Sequence, residues 1–237
     1  MISVIIENEN IIEDGKIFIR DKEELNHLKN SFRVKEGEII RGTDGEYEYI
    51  FRIVEISKKE IQGEILEKNS DRYSSDVEIT AALGMLKNDK MNLTIQKLTE
   101  IGVGKIIPFF SKRCIVKLNE KKDKWDTVSK EALKQCQGVK FVEIDQPQNL
   151  KDINFSEYDL LVVPYEASKD ESLKNLLSNL VIKPKKIVFV IGPEGGFDSE
   201  EIEFLKKSGA KIVTLGNRIL RAETAAIVVG GVLINGV

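Results

Sequence analysis

Glu194, set between Gly192-Pro193 and the pair Gly195-Gly196, and the closely spaced Arg221 and Glu223 are the residues whose types and spacing most invite chemistry. The first lies in Ile187 to Phe197, IVFVIGPEGGF, and the other two in Val213 to Ala226, VTLGNRILRAETAA. Each stretch reads as strand, tight loop and helix: an apolar β-branched run, a break at glycine, then a helix start. Glycine lets main chain approach a ligand with no Cβ in the way, although one such loop alone asks for no more than a turn. A glycine loop ahead of a helix also invites phosphate, yet neither G-x-x-x-x-G-K-[ST] nor G-x-G-x-x-G occurs. Glu194 would set a negative charge where backbone amides ought to cradle the phosphate. A ligand without phosphates, cationic in character, fits better.

Loops of this kind need a scaffold. From Val77 onward strands alternate with helices, the pattern of a mainly parallel sheet covered on both faces. Strands are expected near 77–85, 105–110, 160–164, 187–191 and 211–215, with a weaker one at 141–144. Met91, Ile95, Leu98 and Ile101 mark one face of a first helix, and Trp125, Val128, Ala132 and Cys136 that of a second. Asp198 and Glu201 have capping-box spacing, and Gly209 stands where a left-handed C-cap would close that helix. Residues 225–234 are apolar on every face, so the last helix is expected to be buried. In such a sheet ligands bind beyond the carboxyl ends of strands, and here those ends carry Tyr165-Glu166, Gly192 to Gly196 and Gly216 to Leu220.

The first seventy residues alternate on a period of two instead. Strands are expected at 2–6, 16–20, 38–41, 47–56 and 60–66, with one helix after Asp21, whose spacing to Glu24 again suits a capping box. Tyr47, Tyr49, Phe51 and Ile53 share one face of the clearest strand, and Glu48 and Arg52 the other. Short strands plus one helix make a small β-barrel, and polar residues 68–75 read as a linker. The chain is therefore expected to divide into a domain at 1–70 and an α/β domain at 76–237.

The overall charge of −3 argues against a generically basic nucleic-acid binder. The charge is unevenly spread, however: 1–83 carry −7, 84–140 carry +7 and 141–237 carry −3. Two cysteines, Cys114 and Cys136, and one histidine offer neither a disulfide framework nor a zinc set, so no metal is expected. The longest apolar run, about ten residues, is half of the roughly twenty that span a bilayer. A cytoplasmic protein with no membrane association is expected.

Residues 187 to 226, with IGPEGGF and LGNRILRAETAA, resemble the signature of the uridine-N3 methyltransferases of small-subunit ribosomal RNA, the RsmE family of the SPOUT superfamily. Leu83 to Lys117, LGMLKNDKMNLTIQKLTEIGVGKIIPFFSKRCIVK, is similar to the family's lysine-rich segment ahead of its K-x-T-E-[IL]-G-V helix, and His27-Leu28 with Arg33 to its H-L-x-x-x-x-R pattern. The likeness spans nearly the whole chain. Three departures stand out: the N-terminal R-F-F is absent from Met1-Ile-Ser-Val-Ile, the E-A-x-x-Q-S-x-R segment ends in Gly138 without its arginine, and R-T-E-T is Arg221-Ala-Glu-Thr224.

The resemblance implies a PUA-like or OB-like N-terminal barrel and a C-terminal α/β domain tied in a trefoil knot, dimerised through the knot region. It implies S-adenosylmethionine, held by Pro164, Tyr165 and Glu166, by Ile191, Gly192, Pro193, Glu194, Gly195 and Gly196, and by Leu215, Gly216, Ile219 and Leu220, with Arg221, Thr224 and Ala225 beside them. The partner implied is 16S ribosomal RNA on the assembled small subunit. For N3 methylation the candidates are Arg221, to stabilise charge on uracil, and Glu223, which either caps the last helix with Thr224 or serves as the base. Lys87, Lys90, Lys97, Lys112, Arg113 and Lys117, with Arg33 and Arg20 on the barrel, are the expected phosphate contacts. The alternative is a non-catalytic RNA-binding assembly factor that retains the knot.

Overall fold

The computed structural model describes residues 1–116, 118 and 120–236, and Lys117 lies outside them. The chain forms two compact units, one of Met1–Ser74 with Leu133–Phe141, the other of Ser75–Ala132 with Val142–Val237.

In the first unit β1 (Ser3–Ile5), β2 (Ile11–Glu13), β3 (Lys16–Ile19), β4 (Ile39–Thr43), β5 (Tyr47–Ile56) and β6 (Ile61–Ser70) form one sheet in the order β1-β4-β5-β6-β3-β2, and α1 (Lys22–Asn26) runs on into a π-helical turn, His27–Phe32. The alternation in β5 works as the period of two requires: Tyr49, Phe51 and Ile53 are buried with Ile17, Ile19, Ile40 and Ile61. Strand β6 continues to Ser70, into the stretch expected as linker, because Tyr47, Glu48 and Tyr49 of β5 pair with Ser70, Asn69 and Lys68.

Two charged residues are tied down by long-range pairs. Glu48, on the face of β5 opposite Tyr49 and Phe51, is 2% exposed because its carboxylate takes Arg41 Nε at 2.6 Å and Arg72 Nη2 at 3.1 Å. Asp21 caps α1 by accepting from Glu24 N at 2.9 Å, but the Glu24 carboxylate turns to Lys134 Nζ at 3.1 Å and does not close the box.

Residues 133–141 belong to this first unit and not to the contiguous 76–237 domain expected from sequence. The reason is polar. Buried Arg41 donates from Nη2 to the carbonyls of Gln137 and Gly138, both at 2.8 Å, and Thr43 Oγ1 donates to the Val139 carbonyl at 2.9 Å. Where the family pattern has an arginine after this helix, the chain places a carbonyl at Gly138 under a guanidinium from β4.

The second unit holds β7 (Glu78–Gly84), α2 (Asn88–Ile101), β8 (Lys105–Phe110), α3 (Asp123–Cys136, whose last turn belongs to the first unit), β9 (Glu143–Ile144), β10 (Gln148–Asn149), β11 (Leu160–Pro164), α4 (Leu173–Ser178), β12 (Lys186–Ile191), α5 (Ser199–Lys207), β13 (Lys211–Val213) and α6 (Ala222–Gly236). The strands are all parallel, in the order β10-β8-β7-β12-β11-β13, with β9 also on β8. Both faces are covered: Met91, Ile95, Leu98, Val229 and Leu233 pack on one side, Phe155, Phe197, Ile202 and Leu205 on the other. The Asp198–Glu201 capping box is complete, with 2.9 Å bonds both ways, and Gly209 follows α5 at φ 90°.

After β13 the chain runs against the connection leaving β11. Thr214 N donates to the Glu171 carbonyl at 2.8 Å and Leu173 N to the Thr214 carbonyl at 3.2 Å, before α6 turns back across α2, β7 and β12. One stripe of α6 is buried there, but Val228 and Val232 stay 39% and 38% exposed, so the helix is not covered all round as its composition led us to expect. Cys136, expected on the inner face of α3, is exposed, and both cysteines are free thiols. Among the described residues no helix is long and apolar enough to cross a membrane, and no cluster of three His, Cys, Asp or Glu could hold a metal.

Arg41 is the polar centre of the first unit. Arg41→Ala leaves two carbonyls and a buried carboxylate short of a partner and is expected to cost about 3–5 kcal/mol of unfolding free energy, read from urea denaturation followed by circular dichroism.

Candidate active site

The carboxyl ends of β11 and β12 and the segment before α6 open onto a cavity of about 530 Å³. Tight turns make it possible. Gly196 N donates to the Pro193 carbonyl at 2.8 Å with Gly196 at φ 69°, and Gly216, at φ 116°, turns the chain after β13 in a conformation that L side chains rarely adopt.

The loop 192–196 is held from three sides. A Cβ on Gly192 would stand 3.1 Å from the ring of Phe197, and one on Gly195 would stand 2.9 Å from Arg113 Cβ. A Cβ on Gly84, the last residue of β7, would stand 2.4 Å from Pro193 N. Beyond the loop, Asp198 caps α5 and accepts from Lys112 Nζ at 2.8 Å, a contact that holds its carboxyl below the usual carboxylate range and raises the lysine. Glu201 of the same box accepts from Lys112 N at 2.7 Å.

Of the residues expected to form the site, Pro164, Glu166, Ile191, Gly192, Pro193, Glu194, Gly195 and Gly196 line the cavity, as do Ile219, Leu220, Arg221, Glu223 and Ala225. Four expected residues do not. Tyr165 packs into the core beneath β11, Leu215 into the core beside α6, Gly216 makes its turn outside the lining, and Thr224 is exposed on the first turn of α6.

Lys90, Phe197 and Ala222 line the cavity as well. Lys90 was expected on RNA phosphates. Instead its ammonium pairs with Glu194 and lies 4.0 Å from Glu223 Oε1. Glu223 is 9% exposed, and its Oε2 is buried with no hydrogen-bond partner, so the carboxylate is not spent on capping α6. Arg221 is exposed at the rim, its carbonyl accepting from Ala225 N at 2.8 Å to start the helix. A carboxylate with an unpartnered oxygen can take a proton, and a guanidinium lining the same cavity can stabilise the anion left behind.

The remaining basic residues are spread out. Arg113 donates to the Gly195 carbonyl at 3.3 Å, and Lys112 is occupied with Asp198, so both hold the loop 192–196. Lys97 pairs with Glu100 at 2.9 Å. Arg20 pairs with Glu60 at 2.8 Å and lies over the Phe18 ring. Lys87 ahead of α2 and Arg33, at φ 53° after the π-helical turn, are exposed.

Residues 73–234 match the family of RNA methyltransferase domains and residues 19–66 that of RNA methyltransferase PUA domains. The chain is 34% identical over 227 residues to ribosomal RNA small subunit methyltransferase E of Mesomycoplasma hyopneumoniae, covering 90% of this chain and 95% of that one. This chain belongs to the ribosomal RNA small subunit methyltransferase E family. The Bacillus subtilis member is 30% identical over 227 residues, covering 91% and 89% of the two chains. Among solved structures, the Neisseria gonorrhoeae member, bound to S-adenosyl methionine, superposes with a TM-score of 0.82 at 28% identity over 98% of this chain and 96% of that one. A Legionella pneumophila methyltransferase solved with the same cofactor gives 0.81 at 27% identity over 98% and 95%.

Gly84 escaped the sequence reading, although a glycine ending an apolar strand is the usual mark of close backbone approach. Gly84→Ala is expected to cost about 1–3 kcal/mol through overpacking against Pro193. Gly104→Ala is the control, since its Cβ would meet nothing nearer than the Ile79 carbonyl at 4.0 Å. Equal denaturation midpoints for the two variants would show that Gly84 does not set the loop.

Proposed function

We propose that this chain transfers the methyl group of S-adenosylmethionine to N3 of a uridine in 16S ribosomal RNA of the small subunit, with the cavity at the β11, β12 and α6 loops as cofactor site. The observation that carries this reading is the buried, unpartnered Glu223 Oε2 on the same cavity as Arg221 and the loop 192–196.

The residues present fit the cofactor. A cavity of about 530 Å³ lies within the roughly 300–1,000 Å³ usual for small-molecule sites. Its glycines leave main chain free where a Cβ would intrude, and Glu166, Glu194 and Glu223 suit a cation. The backbone of 192–196 and the apolar Ile191, Ile219 and Leu220 would hold it, and when bound it supplies an electrophilic methyl on a positively charged sulfur.

Neutral uracil carries a proton on N3 and has no in-plane lone pair there to attack with. The Glu223 carboxylate takes that proton, and the Arg221 guanidinium stabilises the negative charge that spreads onto the uracil oxygens, assistance of a kind typically worth ~10²–10⁴ in rate. N3 is occupied in a Watson–Crick pair, so the target is unpaired or flipped out. Exposed Lys87 and Arg33, with half-buried Lys97 and Arg20, are the phosphate contacts of this reading, which position the RNA without reading its sequence. We also propose a homodimer through the face of α6 that carries exposed Val228 and Val232, with exposed Leu93 on α2, an apolar surface that a second copy would cover.

Arg221→Lys should bind cofactor and RNA nearly as wild type yet turn over slowly in single-turnover methylation of small subunits. The defect should shrink as pH rises, because solution then supplies the N3 anion. Glu223→Gln should lose ~10²-fold or more in rate. Normal rates in both variants would show that neither side chain takes part in the chemical step, whereas a wild-type chain that binds RNA and methylates none of it would favour the non-catalytic assembly factor.

A further inference from the structure

The cavity lining carries two cations, Lys90 and Arg221, against three carboxylates, Glu166, Glu194 and Glu223. One net negative charge remains. The two cations are placed differently: Arg221 is exposed at the rim, whereas Lys90, with 34% of its side chain exposed, is drawn in between two acids. Its ammonium pairs with Glu194 Oε1 and stands 4.0 Å from Glu223 Oε1, and the side chains of these two partners are only 23% and 12% exposed. Lys90 projects from the first turn of α2 and Glu223 from the first turn of α6, helices that pack on each other, so the pair is set by rigid elements. The buried Glu223 Oε2 has no partner of its own, which leaves the negative field of the cluster incompletely cancelled.

We propose that Lys90 is a specificity-determining residue: it tunes the charge that this cavity presents to the sulfonium, and so sets the preference for S-adenosylmethionine over its neutral thioether product. This inference rests on the reading of the cavity as the cofactor site. When the methyl group passes to nitrogen, the electron pair of the broken carbon–sulfur bond stays on sulfur, and the cofactor loses one unit of positive charge. Cofactor and product thus differ by one methyl group and one permanent charge, and a cluster of fixed charges in a half-closed cavity discriminates on the charge. Lys90 moderates the pull of two acids that would otherwise hold any cation.

Calorimetric titration with S-adenosylmethionine and with S-adenosylhomocysteine tests it, with circular dichroism to establish that each variant is folded. In Lys90→Met the ratio of product Kd to cofactor Kd should rise by about tenfold, the size expected of one unit charge acting across a partly screened cavity. Lys90→Arg should leave the ratio near wild type, Glu194→Gln should lower it, and the Lys90→Met/Glu194→Gln double variant should return towards wild type. The differences should shrink as salt is raised. Equal changes in both affinities, with the ratio unmoved in Lys90→Met and Glu194→Gln, would overturn the inference while leaving the cofactor site standing. A wild-type chain that binds neither compound would overturn the site reading itself and this inference with it.

Discussion

The pairing of Thr214 with Glu171 and Leu173 is the contact on which the site depends. Two hydrogen bonds, 2.8 and 3.2 Å long, bind the chain after β13 to the chain after β11. Strand β13 alone is three residues long and lies at the end of the sheet, so the Thr214 bonds do much to fix the direction of the chain beyond it. With Thr214 anchored, residues 215–221 are delivered beside Pro164 and the 192–196 loop, and α6 starts where Glu223 faces the cavity. Backbone bonds suit this task, since they set position without demanding particular side chains.

A second constraint is steric. Gly84, Gly192 and Gly195 each stand where a Cβ would press on a neighbour, so β7, the 192–196 loop and the segment after β8 approach at backbone distance. The capping box of α5 extends the same brace, because Asp198 and Glu201 satisfy each other and both take a bond from Lys112. Lysine and arginine residues that composition alone assigns to nucleic acid are therefore partly structural: Lys112 and Arg113 fasten a loop and Lys90 sits among carboxylates, while Lys87 and Arg33 stay open to solvent.

Local chemistry was the legible part. The periodicity of β5, the Asp198–Glu201 box, the left-handed glycine after α5 and the ligand loops at strand ends all arise from spacings of a few residues, and most residues expected at the cofactor site do line one cavity. Long-range contacts escaped. No local signal links Lys90 to Glu194, 104 residues away, or ties Arg41 to the carbonyls of residues 137 and 138. Alternation set Glu48 on the face opposite Tyr49 but gave no sign of its burial, because it records which face a residue takes and not what waits there. The threading implied by the family resemblance likewise leaves no trace in periodicity, since hydrophobic pattern fixes the faces of elements and not the path between them.

The central claim is that segments distant in sequence act as one cofactor site, and hydrogen exchange measured by mass spectrometry tests it most directly. Adding S-adenosylmethionine should slow amide exchange together in peptides spanning 164–166, 192–196 and 215–223, with little change in the first unit. Protection confined to one of these segments, or centred elsewhere in the chain, would contradict the account.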